Sequence, residues 1–185
     1  APTSIMPPET SPMAVAFGYL AGHAETIKQA VDIPVIVVGE IREPAMAEDI
    51  LSSGKADFVA LARPLLADPH WAAKAGRGDA DRILRCISCD TCRLNLSKNA
   101  PIRCLINPKL GREQWLDDPE PVSASKKVMV VGGGPAGMEV ARVAATRGHQ
   151  VSLYEAESTL GGGQLALAKA PPYKDRLSWL EDYLA

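Results

Sequence analysis

Cys86, Cys89, Cys92 and Cys104 are the whole thiol content of the chain, gathered in one stretch, CISCDTCRLNLSKNAPIRC. Thiolates bind soft metals well, and the spacing C-x2-C-x2-C lets one loop turn three sulfurs toward a common centre. A cubane iron–sulfur cluster needs that set and one ligand from further along, which Cys104 supplies before Asn107-Pro108 turns the chain away. Structural zinc more often shows separated C-x2-C pairs or Cys/His mixtures, and here His70 and His149 are remote in sequence. Zinc and plain buried thiols remain the alternatives, and the grouping favours the cluster.

A second constellation is Val130-Val131-Gly132-Gly133-Gly134-Pro135-Ala136-Gly137, with Ala141, Gly148 and Val151 downstream and Glu155 closing the next apolar run. It meets G-x-G-x-x-G between a strand and a helix, the setting a dinucleotide site requires. Gly132 permits the tight turn, Gly134 lets backbone approach a pyrophosphate, and Gly137 lets helix pack on strand. The helix N-terminus offers free N–H groups to the phosphates, and Glu155 is placed to accept from an adenosine ribose. The pattern does not separate FAD from NAD or ADP.

The remaining candidates are Gly39 at one strand end and Ala62-Arg63 at the next. Small residues at the ends of adjacent parallel strands leave N–H groups open to a phosphate, as after the last strands of (β/α)8 barrels, and Arg63 would add charge-assisted hydrogen bonds. An ordinary turn explains Gly39 as well, with Arg63 capping or pairing with Asp57 or Asp68. No catalytic triad or acid–base pair is evident. His23 reads as a helix surface residue, Tyr19 as a loop tyrosine, and Trp71, Trp115 and Trp179 as packing residues.

The elements that must position these groups follow a strand–helix rhythm. A loop with Pro2, Pro7, Pro8 and Pro12 leads to a helix over Ala21–Val31, closed by Asp32-Ile33-Pro34. Val35–Val38 is an unbroken β-branched run suited to a strand buried on both faces. Helix over Pro44–Ser53, strand over Asp57–Ala62 and helix over Leu65–Ala75 complete βαβ units. After the cysteines, a polar linker leads to strand Val128–Val131, helix Pro135–Arg147 and strand Val151–Tyr154. Tyr173, Leu177, Leu180 and Leu184 mark a further amphipathic helix.

With 185 residues, net charge −2, 46% hydrophobic and 23% charged residues, the composition is that of globular protein. Scattered lysines and arginines form no basic stripe, which argues against nucleic acid. No apolar run approaches a membrane span, and no signal segment opens the chain. Thiols confined to one loop do not look like a secreted disulfide framework, so a cytoplasmic setting is expected. A start without methionine and an end inside a helix suggest a fragment, with incomplete first and last domains.

Taken in order, IPVIVVGEIREPAMAEDIL, ADFVALARPLLADP, the cysteine segment through CLINP, VVGGGPAGMEVARVAATRGHQVSLYEA and GGGQLALAKAP resemble the iron–sulfur flavoenzymes related to old yellow enzyme, of the 2,4-dienoyl-CoA reductase and trimethylamine dehydrogenase type. The resemblance implies an α/β chain: the C-terminal part of an FMN-binding (β/α)8 barrel over 1–80, a 4Fe–4S segment over 81–116, a linker over 117–126, and the start of a Rossmann-like FAD/NAD(P)-binding domain over 127–185. It implies Gly39, Ala62 and Arg63 at the FMN phosphate and the four cysteines as cluster ligands. It implies Gly132, Gly134, Pro135, Ala136, Gly137 and Glu155 at the FAD (or ADP) site, with Gln164 in a GGQ-type loop.

Electrons would pass from NAD(P)H through the dinucleotide and cluster to FMN and a small enoyl-type substrate, or outward from FMN in amine dehydrogenases. Glu40 stands where relatives often carry arginine. The C-x2-C-x2-C spacing is nearer the amine dehydrogenase, RGHQVSLYEAES nearer the reductase, and Gly161–Gly163 has one glycine more than the usual pair. The catalytic acid would lie outside this chain, which alone is expected to be poorly stable and inactive. A zinc-stapled interaction module is the non-enzyme alternative.

Overall fold

The computed structural model describes residues 15–116, 120–171, 174 and 177–184. Residues 1–14 of the proline loop expected over residues 1 to about 18, and the start of the last helix at Tyr173, lie outside them. The chain forms two compact units, divided between Gly111 and Arg112. No helix among the described residues is long and apolar enough to cross a membrane.

In the first unit, helix α1 (Ala21–Ala30) leads to strand β1 (Ile36–Val37), and helix α2 (Pro44–Ser52) leads to strand β2 (Phe58–Val59). The strands pair in parallel with Ile36 opposite Phe58 and Val37 opposite Val59. Proline at the first turn starts α2, where its missing N–H costs nothing, and Ala47 and Ile50 turn its apolar side inward. These residues pack with Ala24, Val35, Val37, Ile41, Ala56, Trp71 and Ile83 in one core.

The expectation that β1 is buried on both faces is corrected. Val35 and Val37 face the core, whereas Ile36 is 61% exposed and Phe58 57% exposed. The side chains of a strand alternate between faces, and in this unit helices cover one of them.

The single helix expected over Leu65–Ala75 is two: α3 (Arg63–Ala67) and α4 (Trp71–Arg77). Pro69 forces the preceding residue out of helical geometry, and Asp68 is extended at φ −141°, ψ 101°. The buried Asp68 carboxylate binds the far side of the break, accepting from His70 N at 3.0 Å, Leu84 N at 2.9 Å and Lys74 Nζ at 2.6 Å. It thereby ties the helix pair to the chain entering the cysteine segment. A short 3₁₀ turn (Ala80–Arg82) precedes that segment, and α5 (Thr91–Ser97) lies within it.

In the second unit, strands β3 (Lys127–Val131) and β4 (Gln150–Tyr154) pair in parallel around helix α6 (Pro135–Thr146). Met138 is buried between helix and sheet. Helices α7 (Gly162–Lys169) and α8 (Trp179–Leu184) follow. Gln164, expected in a loop, falls in the first turn of α7, because Leu165–Lys169 is a run of strong helix formers.

Candidate functional site

The four cysteines belong to the first unit, and two of the residues between them, Ser88 and Asp90, are gripped from the strand ends. Gly39 ends the extended run of β1 at φ 110°, where a side chain would be strained and would press on Leu20 and Tyr19 at 3.0–3.1 Å. The next residue, Glu40, is buried, with its carboxylate paired to Arg63 and accepting from Ser88 Oγ at 2.6 Å. Arg63 Nη1 reaches Asp90 Oδ1 at 2.7 Å. Arg42 stacks on Phe17 at 3.8 Å and donates to the Cys86 carbonyl, while its own carbonyl accepts from Trp71 Nε1 at 2.8 Å.

Neither carboxylate considered for Arg63 in the sequence is its partner. Asp57 pairs with Lys28 and accepts from Val35 N at 2.9 Å; these hydrogen bonds, Lys28's first, hold its carboxyl below the usual range. Asp68 pairs with Lys74.

The four cysteines are free thiols, each partly buried. Burial pushes the Cys86 and Cys92 thiols up, and Cys104 lies within electrostatic range of both. Ser88 N donates to Cys86 Sγ at 3.4 Å. Among the described residues, no group of three or more His, Cys, Asp or Glu side chains is arranged to hold a single metal ion. The donor set itself is soft and thiol-only, and partly buried thiols ionise readily once a cation is bound. It therefore fits an iron–sulfur cluster, whose irons are each bound by a different cysteine.

In the second unit, the turn after β3 is closed by its own backbone. Gly132 N donates to Tyr154 O at 2.8 Å, and Gly161 N to Gly133 O at 2.8 Å. A Cβ on Gly137 would overlap the Gly132 carbonyl oxygen, whereas one on Gly134 would meet nothing within 4 Å. Pro135 and Ala136 open α6, with Gly134 at its N-cap. Glu155 follows β4 directly and accepts from Gly133 N at 2.6 Å, Ala156 N at 2.7 Å and Glu157 N at 3.0 Å. Hydrogen bonds from Glu157, Gly133 and Ala156 hold its carboxyl below the usual range. A carboxylate offers about four acceptor directions, so these three bonds leave one open.

Sequence reasoning missed the clamp of Glu40, Ser88 and Asp90 on the cysteine loop. Its one signal was a buried-strand glycine followed by a carboxylate rather than an arginine. The Gln164 side chain lies outside the description.

Two family matches bracket this geometry. Residues 3–82 match the NADH:flavin oxidoreductase / NADH oxidase family, and residues 126–176 match pyridine nucleotide-disulphide oxidoreductase. Among curated relatives, the chain is 47% identical over 181 residues to an NADH oxidase of Thermoanaerobacter brockii, covering 97% of this chain and 28% of that protein. It is 39% identical over 180 residues to a cinnamate reductase of Clostridium sporogenes (94% and 26% covered). It is 40% identical over 159 residues to an N,N-dimethylglycine/sarcosine dehydrogenase of Chromohalobacter salexigens (84% and 23% covered). Among solved structures, 2-naphthoyl-CoA reductase in complex with 2-naphthoyl-CoA superposes with a TM-score of 0.87 at 30% identity, covering 94% of this chain and 26% of that one.

The fold and these matches define a class, the flavin-dependent oxidoreductases built from a (β/α)8 barrel and a Rossmann-like domain. Within it residues 3–82 match the NADH:flavin oxidoreductase / NADH oxidase family, and the chain's relatives include both an alkene reductase and amine dehydrogenases. It spans about a quarter of the length of the relatives it matches.

Proposed function

We propose that this chain carries the phosphate end of an FMN site, a four-cysteine 4Fe–4S site and the entry to an FAD (or ADP) site. The protein then uses NAD(P)H to reduce a small enoyl-type substrate. The observation that carries this reading is the direct tie between the strand ends at Glu40 and Arg63 and the residues between the cysteines. A phosphate site and a thiol site joined by side chains suit two redox groups held close together.

Each group has a defined task. Gly39 and Ala62 let backbone approach the FMN phosphate, and Arg63 lends charge to it. Cys86, Cys89, Cys92 and Cys104 ligate the cluster. Gly132, Gly134, Pro135, Ala136 and Gly137 form the pyrophosphate turn, Glu155 accepts from ribose, and Gln164 belongs to the helix whose N-cap, Gly161, donates its N–H to Gly133 in that turn. When bound, the flavins and cluster supply hydride and single-electron transfer, for which the side chains provide only binding and orientation. The reductase direction is favoured by the relatives named for cinnamate and 2-naphthoyl-CoA, both conjugated acyl compounds.

A second reading, oxidative N-demethylation, draws on the C-x2-C-x2-C spacing and the dimethylglycine/sarcosine relative. The native protein, purified anaerobically, tests both. FMN, iron and acid-labile sulfide should be present, and NADPH should be consumed when an enoyl-CoA is added. Turnover with N-methylated amines alone moves the assignment to the second reading. Stoichiometric zinc without broad iron–sulfur absorbance overturns both in favour of a zinc-stapled module.

A further inference from the structure

Among the described residues, four non-glycine residues have positive φ: Glu40 (56°), Ser88 (53°), Asp90 (57°) and Asn99 (52°). The first three belong to one hydrogen-bonded group. Left-handed backbone is unfavourable for residues with a side chain and persists where surrounding contacts over-determine it, characteristically at functional sites. Here those contacts are explicit. The Glu40 carboxylate, its side chain 1% exposed, accepts from Ser88 Oγ and pairs with Arg63. Arg63 in turn holds Asp90. Ser88 and Asp90 flank Cys89, and Ser88 N points at Cys86 Sγ.

We infer that Glu40 is a positioning residue for the cysteine loop: with Arg63 it locks Ser88 and Asp90 in left-handed backbone, so that the loop is shaped for its cluster before iron arrives. This rests on the reading of the cysteines as cluster ligands. A strained ligand loop with no such lock would spend most of its time in relaxed conformations that aim the thiols elsewhere. Glu40 thereby has a defined use at a place where a carboxylate beside a phosphate would otherwise be a liability. Its charge is matched by Arg63, and its second oxygen serves the loop.

The test is anaerobic reconstitution of the apo-protein with ferrous iron and sulfide, read as bound iron, labile sulfide and visible absorbance. In Glu40→Ala, half-loading should need about tenfold more iron than in wild type, since apparent affinity falls with the fraction of chains in the competent conformation. Adding Asp90→Gly to Glu40→Ala should recover much of the loss, because glycine adopts the left-handed conformation without a lock. A loading defect that glycine fails to rescue assigns Glu40 to general stability and overturns the inference. Equal loading of Glu40→Ala and wild type does the same. A wild-type protein that takes up no iron and sulfide instead defeats the cluster assignment beneath it.

Discussion

Replacing Gly134 and Gly137 one at a time separates the glycine proposed to face a ligand from the glycine that lets the unit pack. An alanine methyl at position 137 collides with the Gly132 carbonyl oxygen, a backbone atom in the tight turn that cannot swing aside as a side chain would. Overpacking of this kind costs about 1–3 kcal/mol. Alanine's better helix propensity returns roughly 0.8–1.0 kcal/mol. With the clash at the upper end, the net loss is about 2 kcal/mol, or roughly 8–16 °C in melting temperature for a unit of this size.

Gly134→Ala behaves otherwise. Its methyl enters open space at φ −70°, which alanine tolerates. Loss of a favourable N-cap, up to about 1 kcal/mol, is largely offset by about 0.4–1 kcal/mol from the stiffer unfolded chain. That methyl does stand where the proposed pyrophosphate would approach, and a clash of about 1–3 kcal/mol would weaken binding roughly 5- to 150-fold. Circular dichroism melts and calorimetric titration with ADP give both numbers. A Gly137→Ala protein melting like wild type, or a Gly134→Ala protein binding ADP unchanged, refutes the division of roles.

Asp68→Ala should destabilise the first unit by about 3–5 kcal/mol, because it strands Lys74 and two backbone donors around a buried carboxylate position; a loss under about 1 kcal/mol in urea denaturation contradicts that account. Glu155 has its folded pKa lowered, so its stabilisation is complete above the unfolded value of about 4.3 and fades as pH falls through the folded one. The melting-temperature gap between wild type and Glu155→Gln should therefore hold steady near neutrality and narrow in acid, and a gap independent of pH excludes the mechanism. Cys104→Ser should abolish stable uptake of labile sulfide, whereas retention of full sulfide content removes Cys104 from the ligand set.

Much of this was legible in the sequence because it rests on local rules. The parallel strands, α2 after Pro44 and the turn from Gly132 to Gly137 follow from β-branched runs, proline position and glycine spacing. What escaped depends on contacts distant in sequence or on partial coverage. One helix became two at Asp68-Pro69, where the proline was visible but the anchoring by Leu84 was not. Helix α5 gave no warning because it has no buried face: Leu94 and Leu96 are both exposed. Ile36 and Phe58 read as core by type, yet a strand covered on one side leaves alternate residues bare. Gln164 was placed in a loop by resemblance, while the Leu-Ala-Leu-Ala-Lys run after it favours helix.

Glu40 shows how a departure from a familiar pattern gains meaning only in three dimensions. In sequence it is a carboxylate next to an expected phosphate, separated from the cysteines by more than forty residues, so repulsion is the natural expectation. In the fold its charge is taken up by Arg63 and its other oxygen accepts from Ser88. Arg63 also reaches Asp90, so one guanidinium serves two carboxylates while standing at the strand end proposed for FMN. The two acidic partners orient that guanidinium, and a phosphate arriving there must share it with the cysteine loop. Flavin affinity and the shape of the cysteine loop are then coupled through a single side chain. Glu40→Ala should alter both together, which two independent sites would not do.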